Sequence, residues 1–261
     1  MSRRPITSAI VGLAMTLGAC GGGGSSIELT IYGAASLKGV LTRAAADYEV
    51  THPGTNVTLS TDSSSALKIQ IEQGAPVDVF LSADAANPQA LVDQGLAAGG
   101  AQTFAVNQLA VIVPLDNPAG IRTPADLAKP GVRIIAAGDE VPITKYATQV
   151  VANLATQPTF PLDLPGAYDA NIVSKENNVR ATIAKIELGE GDAAIVYVTD
   201  ARASTKVTTI ELPEAANVRA SYAGVVIKTS PNPEAAQAFL TWFAGPDGQA
   251  LLSEFGFMAP T

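Results

Sequence analysis

Apolar and polar positions change their period repeatedly along this chain. Residues 27–33 (IELTIYG) read as a short strand, and residues 36–50 then carry apolar side chains at helical spacing. The pair recurs at once: 56–61 predicts a strand and 64–73 a helix, closed by Gly74 at its C-terminal end. An apolar run at 77–81 (VDVFL) predicts a third strand. Further strands are predicted at 109–113, 133–137, 193–198, 208–212 and 222–228, with helices beginning near Pro142, Asn178 and Pro233. Such alternation predicts an α/β fold whose sheets are mostly parallel and flanked by helices on both faces. No repeat with a period of about 20–50 residues is visible, which argues against a solenoid.

Composition sharpens this picture. The 261 residues are 47% hydrophobic and 15% charged, enough for packed cores and unlike a disordered or coiled-coil chain. A body of this length is better built as two lobes than on one open sheet. The strand pattern puts one crossing near Asn107 and the return near Ser221. Residues 27–106 with 221–261 would then form lobe I, and residues 107–220 lobe II. The net charge of −8 lacks the basic footprint of a nucleic-acid binder, so no nucleic-acid partner is expected. One cysteine excludes an internal disulfide framework and a cysteine-built zinc site.

The first twenty residues have their own logic. Arg3 and Arg4 precede an apolar stretch, and Leu17-Gly18-Ala19 supply small residues just before Cys20. A basic start, an apolar middle and a small-residue cleavage point make a secretory signal over residues 1–19. The cysteine at that point resembles a bacterial lipobox, in which Cys20 is acylated and becomes the mature N-terminus. Gly21 to Ser26 (GGGGSS) then suits a flexible tether over residues 20–26. No apolar run after residue 20 reaches the roughly 18 residues of a membrane-spanning helix, so the lipid would be the only membrane attachment.

Three predicted strand-to-helix turns share one arrangement. Ser36 follows the first strand, Ser63-Ser64-Ser65 the second, and Asp139-Glu140-Val141-Pro142 the strand at 133–137. Ligands of open α/β sheets bind outside the carboxyl ends of the strands, where helix N-termini present unpaired N–H groups to anions. Taken singly, Ser36 and Ser64 read as ordinary N-caps; two on successive turns point toward anion binding. Enzyme readings are weaker. Ser65-Ala66-Leu67-Lys68 fits the S-x-x-K pattern of penicillin-recognising acyl-enzymes, and Ser221-Tyr222-Ala223 with Lys228-Thr229-Ser230 imitates its companions. Those two companions fall on one predicted strand, whereas that chemistry needs them on separate elements. A Ser-His-Asp triad would have to use His52, the one histidine, in a turn-like His-Pro-Gly. Asp139 with Glu140, and Glu190 with Asp192, read as turn acids on a solvated face.

Ala34-Ala35-Ser36-Leu37, Ser63-Ser64-Ser65-Ala66-Leu67, the stretch at 70–84 (QIEQGAPVDVFLSAD) and Ala194-Ile195-Val196-Tyr197 resemble the ModA family, the molybdate-binding subunits of ABC importers. The resemblance runs to the C-terminal helix at 239–257. It implies a two-lobed type II periplasmic binding protein and no catalytic residues. The implied oxyanion site takes hydroxyl and backbone N–H from Ser36 and Ser64, backbone N–H from Ile143 and Val179, and the hydroxyl of Tyr197. Ile143 departs from the small alanine common there. An archaeal branch that holds the metal octahedrally has Glu where Val179 stands and Asp near Ile143, so the resemblance implies the tetrahedral, hydrogen-bonded mode with no direct protein–metal ligand. Molybdate or tungstate would be cargo, and no cofactor is implied. The implied partner is a membrane permease, with the chain itself monomeric, lipid-anchored and extracytoplasmic. Sulfate, another bare dianion, is the rival ligand; a secreted serine acyl-enzyme and a surface adhesion module are the rivals from other classes.

Overall fold

The computed structural model describes residues 26–260; the expected signal segment, Cys20 and most of the expected tether lie outside the described residues. The chain opens with β1 (Ile27–Ala34), a 3-10 turn at Ala35–Leu37 and α1 (Lys38–Thr51), then β2 (Thr55–Asp62) and α2 (Ser64–Glu72). β3 (Val79–Ser82), α3 (Ala86–Asp93) and β4 (Gln102–Asn107) follow. β5 (Leu109–Pro114), a 3-10 turn at Pro124–Ala128, β6 (Ile134–Ala137), α4 (Pro142–Ala155) and α5 (Leu164–Ala170) come next. The series continues through β7 (Ile172–Glu176), α6 (Val179–Glu187), β8 (Ala194–Tyr197), α7 (Val198–Arg202) and β9 (Val207–Ile210). It closes with β10 (Ala220–Val226), α8 (Pro233–Ala244) and α9 (Pro246–Glu254).

The strands form a five-stranded sheet, β2-β1-β3-β10-β4, a three-stranded sheet, β8-β5-β9, and a pair, β6-β7. A parallel bridge from Ile134 to Ala193 links that pair to the start of β8. Leu29, Ile31, Val79 and Leu81 turn from the large sheet into the main core beside α1 and α8, whose Val40, Leu41, Ala44, Phe239 and Phe243 meet them. Phe80 and Val225 face the other way, packing with Leu67 and Ile71 of α2 and Leu91 of α3. β3, β5, β6 and β8 are buried at every position, which is why they read as unbroken apolar runs rather than alternations.

Strand direction departs from the expectation of mostly parallel sheets. β1 runs parallel to β2 and β3, and β6 to β7, but β10 is antiparallel to both neighbours and β5 to both of its own. Parallel pairing survives where consecutive strand–helix units return the chain to the same edge. It fails where a strand enters from the other sheet, because no helical crossover then reverses the chain. β4, β7, α3, α5 and α7 were not predicted. β7 alternates half-buried and exposed positions, and β4 begins with two exposed residues, so neither shows an apolar run. The C-terminal segment at 239–257 is two helices, broken at Gly245-Pro246, rather than one.

Candidate functional site

Four helical N-termini point at one small, nearly closed pocket. Each offers N–H groups that its own helix cannot use. On α2 the side chain of Ser63 accepts the N–H of Ala66, the third helical residue, leaving that of Ser64 uncapped. The N-cap is therefore Ser63, and Ser64 is the first helical residue. On α6, Asn178 likewise accepts from Ala181, leaving Val179 at the first position. On α4 the first position is Pro142, which has no N–H, so Ile143 supplies the first available donor. Ser36 sits inside the 3-10 turn and caps nothing. The N-cap reading of Ser36 and Ser64 is thus replaced: both side chains are free for other work.

Ser36, Ser64, Ile143, Val179 and Tyr197 all line this cavity, together with Ala34, Ala35, Ala83, Val141 and Pro142. No lining residue carries a formal charge. Helix dipoles therefore supply the positive potential, from four directions at short range. Tyr197 ends β8, only 1% exposed, and its hydroxyl is buried without a hydrogen-bond partner among the described residues. Burial first, then the neighbouring Tyr222, pushes that phenol well above its ordinary pKa, so it stays a proton donor. The hydroxyl of Ser64 accepts the N–H of Ala83 at 3.0 Å, which leaves its own proton to give.

Two contacts tie the walls of the cavity together. Ser65 Oγ donates to the carbonyl of Glu140 at 2.5 Å. Asn178 Nδ2 donates to Asp62 Oδ1 at 2.9 Å, while its Oδ1 caps α6. One asparagine thus serves the helix with one end of its amide and reaches the opposite wall with the other. Asn178 could be read beforehand only as a helix start; its second role needs the two chain segments brought together. Below Tyr197 lies Asp200, 1% exposed, whose carboxyl is pushed up to about 7 by burial, partly opposed by Arg180. Arg180 Nε stands 3.1 Å from Asp200 Oδ1, close enough for an ion pair but not aligned as a hydrogen bond.

The catalytic alternatives come apart. Lys68 pairs with Glu72 at 2.7 Å, and Ser65 gives its proton to Glu140, so no lysine base faces a serine there. His52 stacks on Tyr48 at 3.8 Å beyond the end of α1. Asp192 is buried rather than solvated, paired with Arg133 at 2.7 Å, a structural role. A larger, open cleft lies beside α4, α5 and β7. Its charged residues include Asp139 and Lys175, which already neutralise each other.

The comparisons fit this geometry. The family model for bacterial extracellular solute-binding proteins matches residues 29–258. The molybdate-binding protein ModA of Mycobacterium tuberculosis is 34% identical over 234 residues, 89% of this chain and 85% of that protein. The chain belongs to the ModA family of bacterial solute-binding proteins. Among solved structures, the periplasmic molybdate-binding protein of Azotobacter vinelandii superposes on this ModA-family chain with a TM-score of 0.75 at 26% identity, covering 89% of this chain and 100% of that one. The sulfate-binding protein SubI of Mycobacterium tuberculosis superposes with a TM-score of 0.78 at 18% identity, over 89% of this chain and 87% of that one, which speaks to the fold alone. The two-lobed architecture of this ModA-family chain follows from these relationships and from its two sets of strands.

Proposed function

We propose that this chain binds molybdate, and with it tungstate, in the cavity between its two lobes and hands the anion to an ABC permease. The observation that carries this reading is the convergence of neutral donors: four helical N-termini, two serine hydroxyls and the unpartnered Tyr197 hydroxyl around one uncharged cavity. Such a site suits a dianion that accepts at every oxygen. Hydrogen phosphate would bring a proton with no acceptor, at a cost of roughly 1–3 kcal/mol for the unmet group. Sulfate carries no proton, so its rejection would rest on size, since a smaller ion stretches several hydrogen bonds together. The net charge of −10 that remains once Arg3 and Arg4 leave with residues 1–19 does not oppose binding strongly, because exposed charges are screened beyond about 8 Å whereas helix ends act at contact.

The lobes would meet at the crossings beside Asn107 and Ser221. Closure brings Ser36 and Ser64 against Ile143, Val179 and Tyr197, and presents the closed shape to the permease. We read the chain as a monomer without enzymatic activity or cofactor, secreted and held to the membrane by acylated Cys20.

Calorimetry on the body from Ser25 onward, freed of oxyanion, decides the matter with molybdate, tungstate, sulfate and phosphate. One-to-one binding of the first two alone is the expected result. Equal affinity for sulfate would move the protein to sulfur uptake. Silence from all four, with an unshifted melting temperature, would overturn the oxyanion reading.

A further inference from the structure

A hydroxyl facing a ligand that only accepts hydrogen bonds must be the donor, and a serine left to itself can turn its proton elsewhere. At Ser64 the backbone settles the direction, because the Ala83 N–H occupies its oxygen. Ser36 has a different neighbour: its Oγ lies 3.0 Å from the hydroxyl of Tyr222 on β10, with both side chains buried. Either oxygen of that pair could donate. The direction is decided one bond further back. Asn107 Nδ2 carries protons only, and it lies 3.4 Å from Tyr222 Oη and 2.9 Å from Thr199 Oγ1. The amide is oriented by the N–H of Gln108, which donates to Asn107 Oδ1 at 3.0 Å. Tyr222 therefore accepts from Asn107. Its own proton has Ser36 Oγ as the acceptor at hand, and the Ser36 proton is left for the cavity. Burial pushes the Tyr222 phenol well above its ordinary pKa, so it keeps the proton that the chain of donors requires.

We propose that Tyr222, oriented by Asn107, is a positioning residue that commits Ser36 to donate into the oxyanion cavity. The inference rests on the oxyanion reading above and adds residues and a selectivity mechanism to it. With Ser36 held as a donor, a bare dianion finds one more hydrogen bond, and a protonated anion loses one more potential acceptor. The relay also has a place in the architecture. Asn107 ends β4 just before the chain crosses to β5, Thr199 lies on α7 beside β8, and Tyr222 lies at the start of the returning strand β10. The donor state of Ser36 is thus tied to the junction of the two sheets.

The test is a double-mutant cycle by calorimetry with molybdate on Ser36→Ala, Tyr222→Phe and the pair. Phenylalanine keeps the edge-on ring contacts of Tyr222 with Tyr197, Phe104 and Phe257, and an unliganded melt checks that the variant folds. Tyr222→Phe is expected to weaken molybdate by up to about tenfold, the scale of one neutral hydrogen bond, because Ser36 keeps its proton but is no longer held to donate it. The same change on the Ser36→Ala background is expected to cost less than about twofold. The affinity ratio of molybdate to hydrogen phosphate, with phosphate read as a competitor in large excess, should fall in Tyr222→Phe, which loss of packing alone would not produce. Asn107→Ala, two bonds from Ser36, should give the same partial loss and not add to Tyr222→Phe. Unchanged affinity in Tyr222→Phe, or an equal loss with and without Ser36, overturns the relay alone. A wild-type protein that gives no heat with molybdate overturns the oxyanion reading and the relay with it.

Discussion

Tyr197 illustrates a residue kept at a cost to the unliganded fold. Its hydroxyl is buried and unpartnered, and such a group destabilises by roughly 1–3 kcal/mol. Tyr197→Phe should therefore leave the unliganded protein as stable as the wild type or more so, while weakening molybdate by about 1.5–3 kcal/mol. Thermal melts with and without the anion would check both halves, and a drop in unliganded stability would argue for a packing role instead. Ser36→Ala and Ser64→Ala should each weaken binding on that same scale, about 1.5–3 kcal/mol, read by calorimetry. Asp200 supplies a pH signature. Its carboxyl titrates near 7 in the folded chain against about 4 when unfolded. Folding thus retains a proton that the unfolded chain releases, and stability from this group is full below about pH 4 and falls as pH rises toward 7. Asp200→Asn should flatten that slope, raising stability relative to wild type at pH 8 more than at pH 4. Parallel curves of midpoint against pH would refute the assignment.

At the scale of elements, the helix starts matter more than the helices. α4 opens on a proline, α6 on an asparagine cap and α2 on a serine cap, and each choice leaves the donor one or two positions inside the helix unclaimed. Asn178→Ser tests the double duty of that cap. Serine keeps the capping oxygen but cannot reach Asp62, so binding should weaken by about 0.5–1.5 kcal/mol, one neutral hydrogen bond, with little change in the unliganded melt. An unchanged affinity would remove the contact from the closed state. The tight turn at Gly245-Pro246 between α8 and α9 leaves no room beside Gly248. A Cβ on Gly248 would lie 2.0 Å from the backbone oxygen of Phe243, an atom that cannot move aside. Gly248→Ala should lower stability by about 1–3 kcal/mol or more, measured by denaturant unfolding.

For the whole molecule, the decisive fact is that the chain returns to its first sheet. β10 inserts between β3 and β4, so the five-stranded sheet is completed only after β5 to β9 have been laid down elsewhere. The two sets of strands are joined where β4 leads into β5 and β9 into β10, and the candidate site lies between them. Binding that closes the lobes should make the molecule more compact. Small-angle scattering with and without molybdate would show a smaller radius of gyration in the bound state. An unchanged radius would mean that the anion enters without closure.

Much of this was legible in the chain itself. The strand-to-helix turns at Ser36, Ser64 and Pro142 were plain, because helix starts and their N-terminal donors are set by local backbone geometry. The apolar runs that became β3, β5, β6 and β8 were equally plain, since a strand buried on both faces is filled mostly by apolar side chains. The directions of β5 and β10, the polar edge strand β7, and the meeting of Asn178 with Asp62 were not legible. Nor was the chain from Asn107 through Tyr222 to Ser36, whose ends lie far apart in sequence. Those features depend on which segments fold against one another. Hydrophobic pattern states that a residue is buried, but the identity of its neighbour, and hence the direction of its proton, is set only by tertiary packing.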